Sequence, residues 1–252
     1  MDIKDLYVNL PIQGIIQNTT KFWLNIHYNT NAITEQLLHL LKIILKQNYF
    51  QYNNQLFQPR RGIAIGSPIS STLAEIYLQF LEEIYIKQWL ESKEISYYTR
   101  YVDDTLIIFD QNKTNKLTII NHTSNIDKHL QFKISVEENN IIIYLDLSIH
   151  RNNNNTDLGI YRKPTCTDTT IQFSSNHPYE HKLAAFNYYI HRMLTLPIMK
   201  QSKQQEWKII ITIAQNNGFS MHIIHNLKEK MIKKQKQKQK QLATPINRTG
   251  NG

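Results

Sequence analysis

The feature that most constrains the fold is a pair of adjacent carboxylates within an apolar, aromatic stretch, SYYTRYVDDTLIIFD, residues 96–110. The aromatic and β-branched residues on either side of Asp103 and Asp104 predict two buried strands that meet at the acids. Burial of an unpaired carboxylate is strongly unfavourable. Two explanations are open: the acids lie in a water-exposed turn, where aspartate is common, or a bound cation compensates their charge.

A second acidic segment, DIKDLY at residues 2–7, indicates what such a cation site would contain. Carboxylates from separate strands can bridge two divalent cations about 3.5–4 Å apart, an arrangement that activates a 3′-hydroxyl and neutralises a leaving pyrophosphate. Carboxylate and water oxygens favour Mg²⁺. Because neighbouring strand residues point to opposite faces of a sheet, only one of the paired acids is well aimed. We expect Asp103 to be the acid that faces Asp2.

A glycine-containing loop, RRGIAIGSPIS at residues 60–70, lies between the two acidic segments. Gly62 and Gly66 allow the backbone to approach a phosphate or a flat ligand closely. The following helix, with Ser67 placed to cap it, would aim its N-terminus at that ligand. An ordinary loop before a capped helix explains the pattern equally well.

The order of predicted elements in residues 1–150 favours an α+β domain with a largely antiparallel sheet packed on helices. The predicted elements are a short strand before Pro11, helices at 33–45, 73–84 and 115–130, hairpins at 49–57 and 96–109, and a strand pair at 132–136 and 141–149 joined at Asn139 and Asn140.

The polar run RNNNNTD, residues 151–157, predicts a domain boundary. Helical periodicity at 179–194, 204–214 and 222–232 then predicts a small, mainly helical subdomain over 151–227. The lysine- and glutamine-rich segment 228–252 is typical of a disordered tail.

The net charge of +9 resides mostly in that tail. Residues 228–252 contain seven lysines and Arg248 against Glu229, a net +7, which leaves +2 for residues 1–227. A solvated tail, nuclear targeting and non-specific phosphate binding are all compatible with this run.

A single cysteine and the lack of a signal-peptide pattern indicate a reducing, intracellular location. The strongest candidate for a membrane span, LLHLLKIILK, is too short and carries two lysines.

The motifs, taken in order, resemble the palm of a reverse transcriptase. DIKDLY resembles motif A, GIAIGSPIS resembles motif B, YVDD resembles motif C, and ISVEENNIIIYLDLSI is similar to the segment that leads to motif D. The phrases LYVNLP, NYFQYNNQLFQ, LAEIYLQFLE and GIYRKPTCTDTTIQFSSNHPYEHKLAAFNYYIHR resemble the Penelope-like retroelements. The resemblance covers roughly residues 1–196.

This resemblance implies a palm over 1–150 followed by a thumb, and an RNA-directed DNA polymerase that extends a DNA primer on an RNA template with deoxynucleotides, in the nucleus. It implies that Asp2 and Asp103 bind two Mg²⁺ ions, or Mn²⁺, and that Asp104 supports one of them. Tyr7 takes the place of the aromatic gate that excludes a ribose 2′-hydroxyl. Gly62, Gly66 and Ser67 would shape the floor under template and nucleotide.

Basic residues are the candidate nucleic-acid contacts, because cations and aromatic rings together suit phosphate contact and base stacking. An equally good explanation for those of the thumb is a solvated face over an aromatic core. The segment that precedes motif A in the family, the fingers, is not in this sequence, so the alternative function is an inactive nucleic-acid-binding remnant of a reverse transcriptase. The candidates are Arg60, Arg61, Arg162, Lys163, Lys182 and Arg192.

Overall fold

A computed structural model of the chain describes residues 1–16, 24, 31–152 and 155–243. The chain divides into two compact units, Met1–Val136 and Glu137–Gly252. Within the described ranges, no helix combines the length and the apolar character that crossing a bilayer requires.

The N-terminal unit alternates short strands with helices. Its strands are β1 (Asp2–Lys4), β2 (Phe50–Tyr52), β3 (Gln55–Phe57), β4 (Ile95–Tyr101), β5 (Asp104–Phe109) and β6 (Gln131–Lys133). Its helices are α1 (Leu6–Asn9), α2 (Ile12–Gly14), α3 (Asn31–Lys46), α4 (Ser70–Leu81), α5 (Lys87–Glu91) and α6 (Lys116–Ile126), and a π-helical segment (Glu82–Ile86) joins α4 to α5.

Four of these strands form an antiparallel sheet in the order β4-β5-β1-β6. The predicted hairpin at the paired acids is confirmed, because β4 pairs with β5 and Tyr101 is the partner of Asp104. Only Val102 and Asp103 remain for the turn, and Val102 has a φ of 56°. The second hairpin, β2–β3, is also confirmed, with its turn at two asparagines of positive φ, a conformation that asparagine tolerates.

Helix α4 covers one face of the four-stranded sheet with the apolar stripe that the sequence predicts. Leu73, Tyr77 and Leu81 are buried in one core with Ile3 of β1 and Ile95 of β4. Burial of each such side chain contributes about 1.5–3 kcal/mol to folding. This core fixes which face of the sheet the helix covers. On the other face Tyr97, Tyr101 and Ile108 are exposed, so that face is open within the part of the chain that the structure describes.

The expectation that Ser67 caps α4 is wrong. The helix begins at Ser70, its N-cap residue is Ile69, and no side chain caps it. Pro68 and Ile69 form a turn, in which the amide of Ser70 donates to the carbonyl of Ser67 (3.2 Å). The proline therefore belongs to the loop and not to the first helical turn.

The C-terminal unit contains a three-stranded antiparallel sheet, β7-β8-β9, and a helical cluster. The predicted helical regions beyond residue 178 are confirmed, and their core includes Phe186, Ile210 and Ile224, which are almost completely buried. The elements are β7 (Ile141–Tyr144), β8 (Leu147–Asn152), β9 (Asn155–Ile160), α7 (Tyr179–Thr195), α8 (Lys200–Asn216) and α9 (Met221–Ala243).

The strand pair predicted around Asn139 and Asn140 is wrong. β6 pairs with β1, and β7 pairs with β8. The two asparagines have positive φ but join only a single bridge, Glu138 to Ile141, whereas Leu145 and Asp146, also with positive φ, make the β7–β8 turn. Two adjacent asparagines are a strong turn signal, whereas Leu145 and Asp146 carry a weaker one, so the sequence predicts the turn at the wrong place.

The boundary expected at residues 151–157 lies inside the β8–β9 hairpin, because these two strands pair from Leu147↔Ile160 to Asn152↔Asn155. The two compact units separate after Val136. The basic segment is also not a disordered tail over its described part, since α9 continues to Ala243. Lysine and glutamine are good helix formers, and no glycine or proline interrupts the run before Pro245.

Asn217, at the end of α8, holds an extended segment against the helical cluster. Its side chain is 2% exposed. The amide nitrogen Nδ2 donates to the carbonyls of Asp168 (3.1 Å) and Ile213 (2.8 Å), and Oδ1 accepts from the Thr170 amide (3.0 Å). The backbone carbonyl accepts from Phe173 (3.0 Å). One buried amide side chain therefore satisfies backbone groups of two elements.

We expect Asn217→Ala to lower the free energy of unfolding of the C-terminal unit by about 2–4 kcal/mol, because buried backbone groups lose their partners. Urea denaturation measures this loss. The neighbouring Asn216 is exposed, and Asn216→Ala should change the stability by less than about 0.5 kcal/mol. Equal effects of the two substitutions would contradict this role.

Candidate active site

The register between β1 and β5 brings together two acids that lie about a hundred residues apart in the chain. Asp2 is the direct partner of Asp104. The Ile3 amide donates to the Asp103 carbonyl (2.9 Å) and the Thr105 amide donates to the Met1 carbonyl (2.7 Å). This pattern makes Asp2 and Asp104 a non-hydrogen-bonded pair, in which the Cα atoms are about 4.5 Å apart and the side chains lie closest.

Both carboxylates lie on the open face of the sheet. Ile3 and Thr105 follow Asp2 and Asp104 in their strands and are each 3% exposed, so they point into the helix-covered core. Strand alternation therefore directs the two acids to the other face. Asp2 has Lys133 of β6 as its partner on the other side, and this exposed lysine offsets part of the repulsion between the acids. Sequence reasoning missed Lys133, because it assigned β6 to a different strand pair.

Asp103 lies one residue before Asp104, in the turn, with its side chain half-buried. From strand alternation we expected Asp103 to face Asp2, but the cross-strand partner of Asp2 is Asp104. The carbonyl of Asp103 accepts from the Ile3 amide, so Asp103 is also adjacent to β1. The structure thus brings Asp2, Asp103 and Asp104 to one end of one hairpin.

The donor set suits a hard cation. The two facing side chains are carboxylates, and Mg²⁺ is commonly held by one or two carboxylates with water and substrate phosphate as the other ligands. Among the described residues, no group of three or more histidine, cysteine, aspartate or glutamate side chains is placed to hold a metal by itself. The residues present therefore fit a cation that substrate and water help to bind.

The glycine loop packs directly against the turn that follows β1. The Ile63 amide donates to the Tyr7 carbonyl (2.8 Å). Gly62 has a φ of 76°, and a Cβ there would lie 2.5 Å from the Val8 carbonyl oxygen and 2.6 Å from that of Tyr7. Glycine is therefore required at position 62 for close contact between two segments of the protein, and not only for approach to a ligand.

The rest of the loop is open. Gly66 has a φ of 92°, and a Cβ at this position would meet no atom within 4 Å. Arg60 and Arg61 are exposed, and Ser67 is half-buried. The structure therefore places Tyr7 and Gly62 together, while Gly66 and the arginines face solvent.

Three of the four basic residues predicted in the C-terminal unit make contacts within it. Arg162 donates to the buried Glu206 (2.5 Å) and stacks over Tyr189 (5.0 Å to the ring centroid). Lys182 donates to the Phe173 carbonyl (2.8 Å), and Arg192 donates to the Asp146 carbonyl (3.0 Å). Lys163 is exposed. These contacts give Arg162 above all a structural role.

Sequence reasoning also missed Arg100 of β4. Its side chain is 5% exposed and pairs with Glu75 of α4 and with Glu82, the first residue of the adjoining π-helical segment. The sequence does contain a signal for this cluster. An arginine lies within an apolar strand, and two glutamates lie seven residues apart in a predicted helix, where they can pair with it.

Comparison with known proteins gives two family matches. The profile described as "Reverse transcriptase (RNA-dependent DNA polymerase)" matches residues 1–149. The profile described as "Animal helix-turn-helix domain" matches residues 169–229, a region for which the sequence predicts a thumb. Among curated proteins, no sequence matches the chain significantly.

One solved structure with a similar fold is telomerase from Candida albicans, in complex with a TWJ fragment of telomeric RNA. The sequence identity is 12% and the TM-score is 0.50. The alignment covers 90% of this chain and 41% of the telomerase chain. This chain therefore spans less than half the length of that structure.

The two loop glycines provide a test of the packing at the site. Gly66→Ala should cost about 1–2 kcal/mol, because alanine is strained at positive φ but meets no neighbour. Gly62→Ala should cost about 3 kcal/mol or more, because its Cβ also displaces backbone carbonyls. Urea denaturation of both variants measures the difference, and equal costs would contradict the close contact at Gly62.

Proposed function

Since the chain belongs to the reverse transcriptase family, whose profile matches residues 1–149, we propose that it carries an RNA-directed DNA polymerase of a Penelope-like retroelement. It extends the 3′ end of a DNA primer with deoxynucleotides on an RNA template. The Penelope-like assignment is supported by phrases such as LYVNLP and NYFQYNNQLFQ. We further propose that the protein acts on nuclear nucleic acid, which its basic C-terminal segment suits.

The predicted fold class is confirmed: an α+β, palm-like unit with an antiparallel sheet is followed by a mainly helical part. The observation that carries the proposed chemistry is the register of Asp2 opposite Asp104, with Asp103 in the adjoining turn. Acids at the two ends of a hundred-residue segment meet on an open face. A structural role alone does not require carboxylates there.

The proposed roles follow from these positions. Asp2, Asp103 and Asp104 hold two divalent cations, Mg²⁺ or Mn²⁺, which when bound would activate the primer hydroxyl and neutralise the leaving pyrophosphate. Asp2 and Asp104 present their carboxylates from neighbouring strands, and through the bound cations they would position the reacting phosphate. Tyr7, tied through its carbonyl to the glycine loop, limits the space beside the sugar. Gly62, Gly66 and Ser67 support the nucleotide and template, and Arg60 and Arg61 contact phosphate.

Primer extension on a homopolymer RNA template with Mg²⁺ or Mn²⁺ tests this proposal. Asp103→Asn and Asp2→Asn should reduce incorporation to below about 1% of the unsubstituted chain, because a ligand charge is lost. Circular dichroism and duplex binding should not change. Asp5→Asn, three residues from Asp2 at an exposed position, is the matched control and should retain activity. Extension that survives in Asp103→Asn and Asp2→Asn would remove the catalytic assignment.

The alternative is an inactive nucleic-acid-binding remnant. It predicts no incorporation by the unsubstituted chain under either metal, together with duplex binding that weakens as salt rises. The same assay therefore separates the two functions, because only the polymerase responds to the carboxylate substitutions.

A second function, binding of double-stranded nucleic acid by the C-terminal unit, is favoured by the helix-turn-helix match and by α9. No acid follows Glu229 in the sequence. The predicted contacts Arg162, Lys182 and Arg192 are engaged within the unit, whereas lysines of α9 face solvent. The exposed lysines are Lys230, Lys233, Lys234, Lys236 and Lys238.

Substitution of Lys233 and Lys234 by glutamine tests this surface. Each lysine that contacts phosphate should contribute roughly one unit to the slope of log K against log salt, so the double variant should lower the slope by up to about 2. The matched control replaces Lys200 and Lys208, two exposed lysines of α8. Equal losses of duplex affinity in the two double variants would show that α9 has no special role.

A further inference from the structure

The Arg100 clamp, which we define as Arg100 with Glu75, Glu82 and the Val102 carbonyl, lies beneath the turn that carries the paired acids. The guanidinium donates to both carboxylate oxygens of Glu75 (2.9 and 3.0 Å). It also donates to Glu82 (2.6 and 3.2 Å). One of its nitrogens further donates to the Val102 carbonyl (3.0 Å). The clamp therefore links the helix directly to the turn.

The turn requires such support, because its first residue is strained. Val102 has a φ of 56°, in a region that a β-branched residue rarely adopts. The turn contains only Val102 and Asp103 between paired strand residues. A relaxation of Val102 would move Asp103 and Asp104 together, because they follow it directly in the chain.

The clamp acts from the opposite face of the sheet. Arg100 is the cross-strand partner of the buried Thr105, so its side chain lies on the core face and the acid pair lies on the open face. Arg100 thus reaches the acids only through the backbone of the turn. A direct contact with metal or substrate is not its role.

The clamp is well anchored. The Tyr98 hydroxyl donates to the same Glu82 oxygen that Arg100 binds (2.7 Å). Glu82 is the first residue of the π-helical segment, and such segments occur frequently at functional sites. Burial alone lowers the pKa of Arg100, but hydrogen bonds and charges from Glu75 and Glu82 outweigh it, so the pKa is raised. The arginine is therefore charged and held by two carboxylates.

We propose that Arg100 is a positioning residue for the reaction: its clamp holds the strained Val102 turn so that Asp103 and Asp104 stay aligned with Asp2. This inference rests on the proposed polymerase function for its catalytic consequence, but the mechanical part concerns the turn alone. The planar fork of arginine is essential, because lysine offers one point charge and cannot bind two carboxylates and a carbonyl in fixed geometry.

Arg100→Lys is the main test variant, because it keeps the charge and removes the fork. Hydrogen exchange should accelerate at least about tenfold at the Ile3 and Thr105 amides, which bond across β1 and β5, while exchange in the C-terminal unit stays unchanged. The affinity for Mn²⁺, followed by electron paramagnetic resonance, should fall by up to about tenfold, the low end of the loss seen when a direct outer partner of a metal ligand is removed, because Arg100 acts on the acids only through the backbone. In primer extension kcat should fall, with the KM for nucleotide within about twofold.

Glu75→Gln is the second variant, since Glu75 is partly exposed and its loss should leave the unit folded. It should change the same three quantities in the same direction by a smaller factor. The matched control is the exposed pair Lys87–Glu83 in the π-helical segment and α5 (3.0 Å). Lys87→Gln and Glu83→Gln should leave amide exchange, Mn²⁺ affinity and kcat unchanged.

The outcomes separate the clamp from the polymerase proposal. Unchanged exchange at Ile3 and Thr105 in both Arg100→Lys and Glu75→Gln overturns the clamp, whatever the activity. Equal changes in the Lys87→Gln and Glu83→Gln controls overturn it as well, because the loss of any charged side chain on the helix would then be enough to cause these changes. If the unsubstituted chain incorporates no nucleotide but the variants accelerate exchange and weaken Mn²⁺ binding, the clamp stands and the polymerase proposal fails.

Discussion

The antiparallel pairing of β1 with β5 is the constraint on which the site depends. β1 has only three residues, yet it lies in the sheet between β5 and β6. Its central residue, Ile3, is buried in the core, which fixes the side of the sheet to which Asp2 points. A slip of one residue in this register would send Asp2 into the core and Ile3 to the open face. Hydrophobic burial therefore determines where the carboxylates lie.

The opposite face of the same sheet explains how the hairpin keeps its shape. The turn joins its strands through only two residues, one of them a valine at positive φ. Arg100 forms ion pairs with Glu75 and Glu82 and also donates a hydrogen bond to the Val102 carbonyl in that turn. The buried charges would be unfavourable alone, but Arg100 is compensated by two carboxylates and Glu82 by a tyrosine as well. The ion pairs on the core face therefore help to hold the turn that positions the acids on the open face.

Local patterns predicted much of this architecture. The hairpin at the paired acids, the β2–β3 hairpin and the apolar stripe of α4 each arise from signals within a short window. Strand pairing between residues far apart in the chain does not arise from such signals. Asn139 and Asn140 predict a turn, whereas the actual β7–β8 turn is at Leu145 and Asp146, and β6 pairs with β1 and not with β7. The wrong partner for β6 also meant that Lys133 was not expected beside Asp2. Whether Asp103 or Asp104 faces Asp2 depends on the register between β1 and β5, which alternation within one strand cannot specify. The composition of the lysine-rich segment predicts a disordered tail, whereas the high helix propensity of lysine and glutamine extends α9 to Ala243.

The central claim is that Asp2 shares a divalent cation with the acids of the β4–β5 hairpin. A crystal of the chain with primer, template and nucleotide, soaked in MnCl₂ and measured at the manganese absorption edge, tests it most directly. We predict anomalous density within about 2.0–2.3 Å of carboxylate oxygens from Asp2 and from Asp103 or Asp104. Density bound elsewhere, or no density between β1 and the hairpin at saturating manganese, would contradict it.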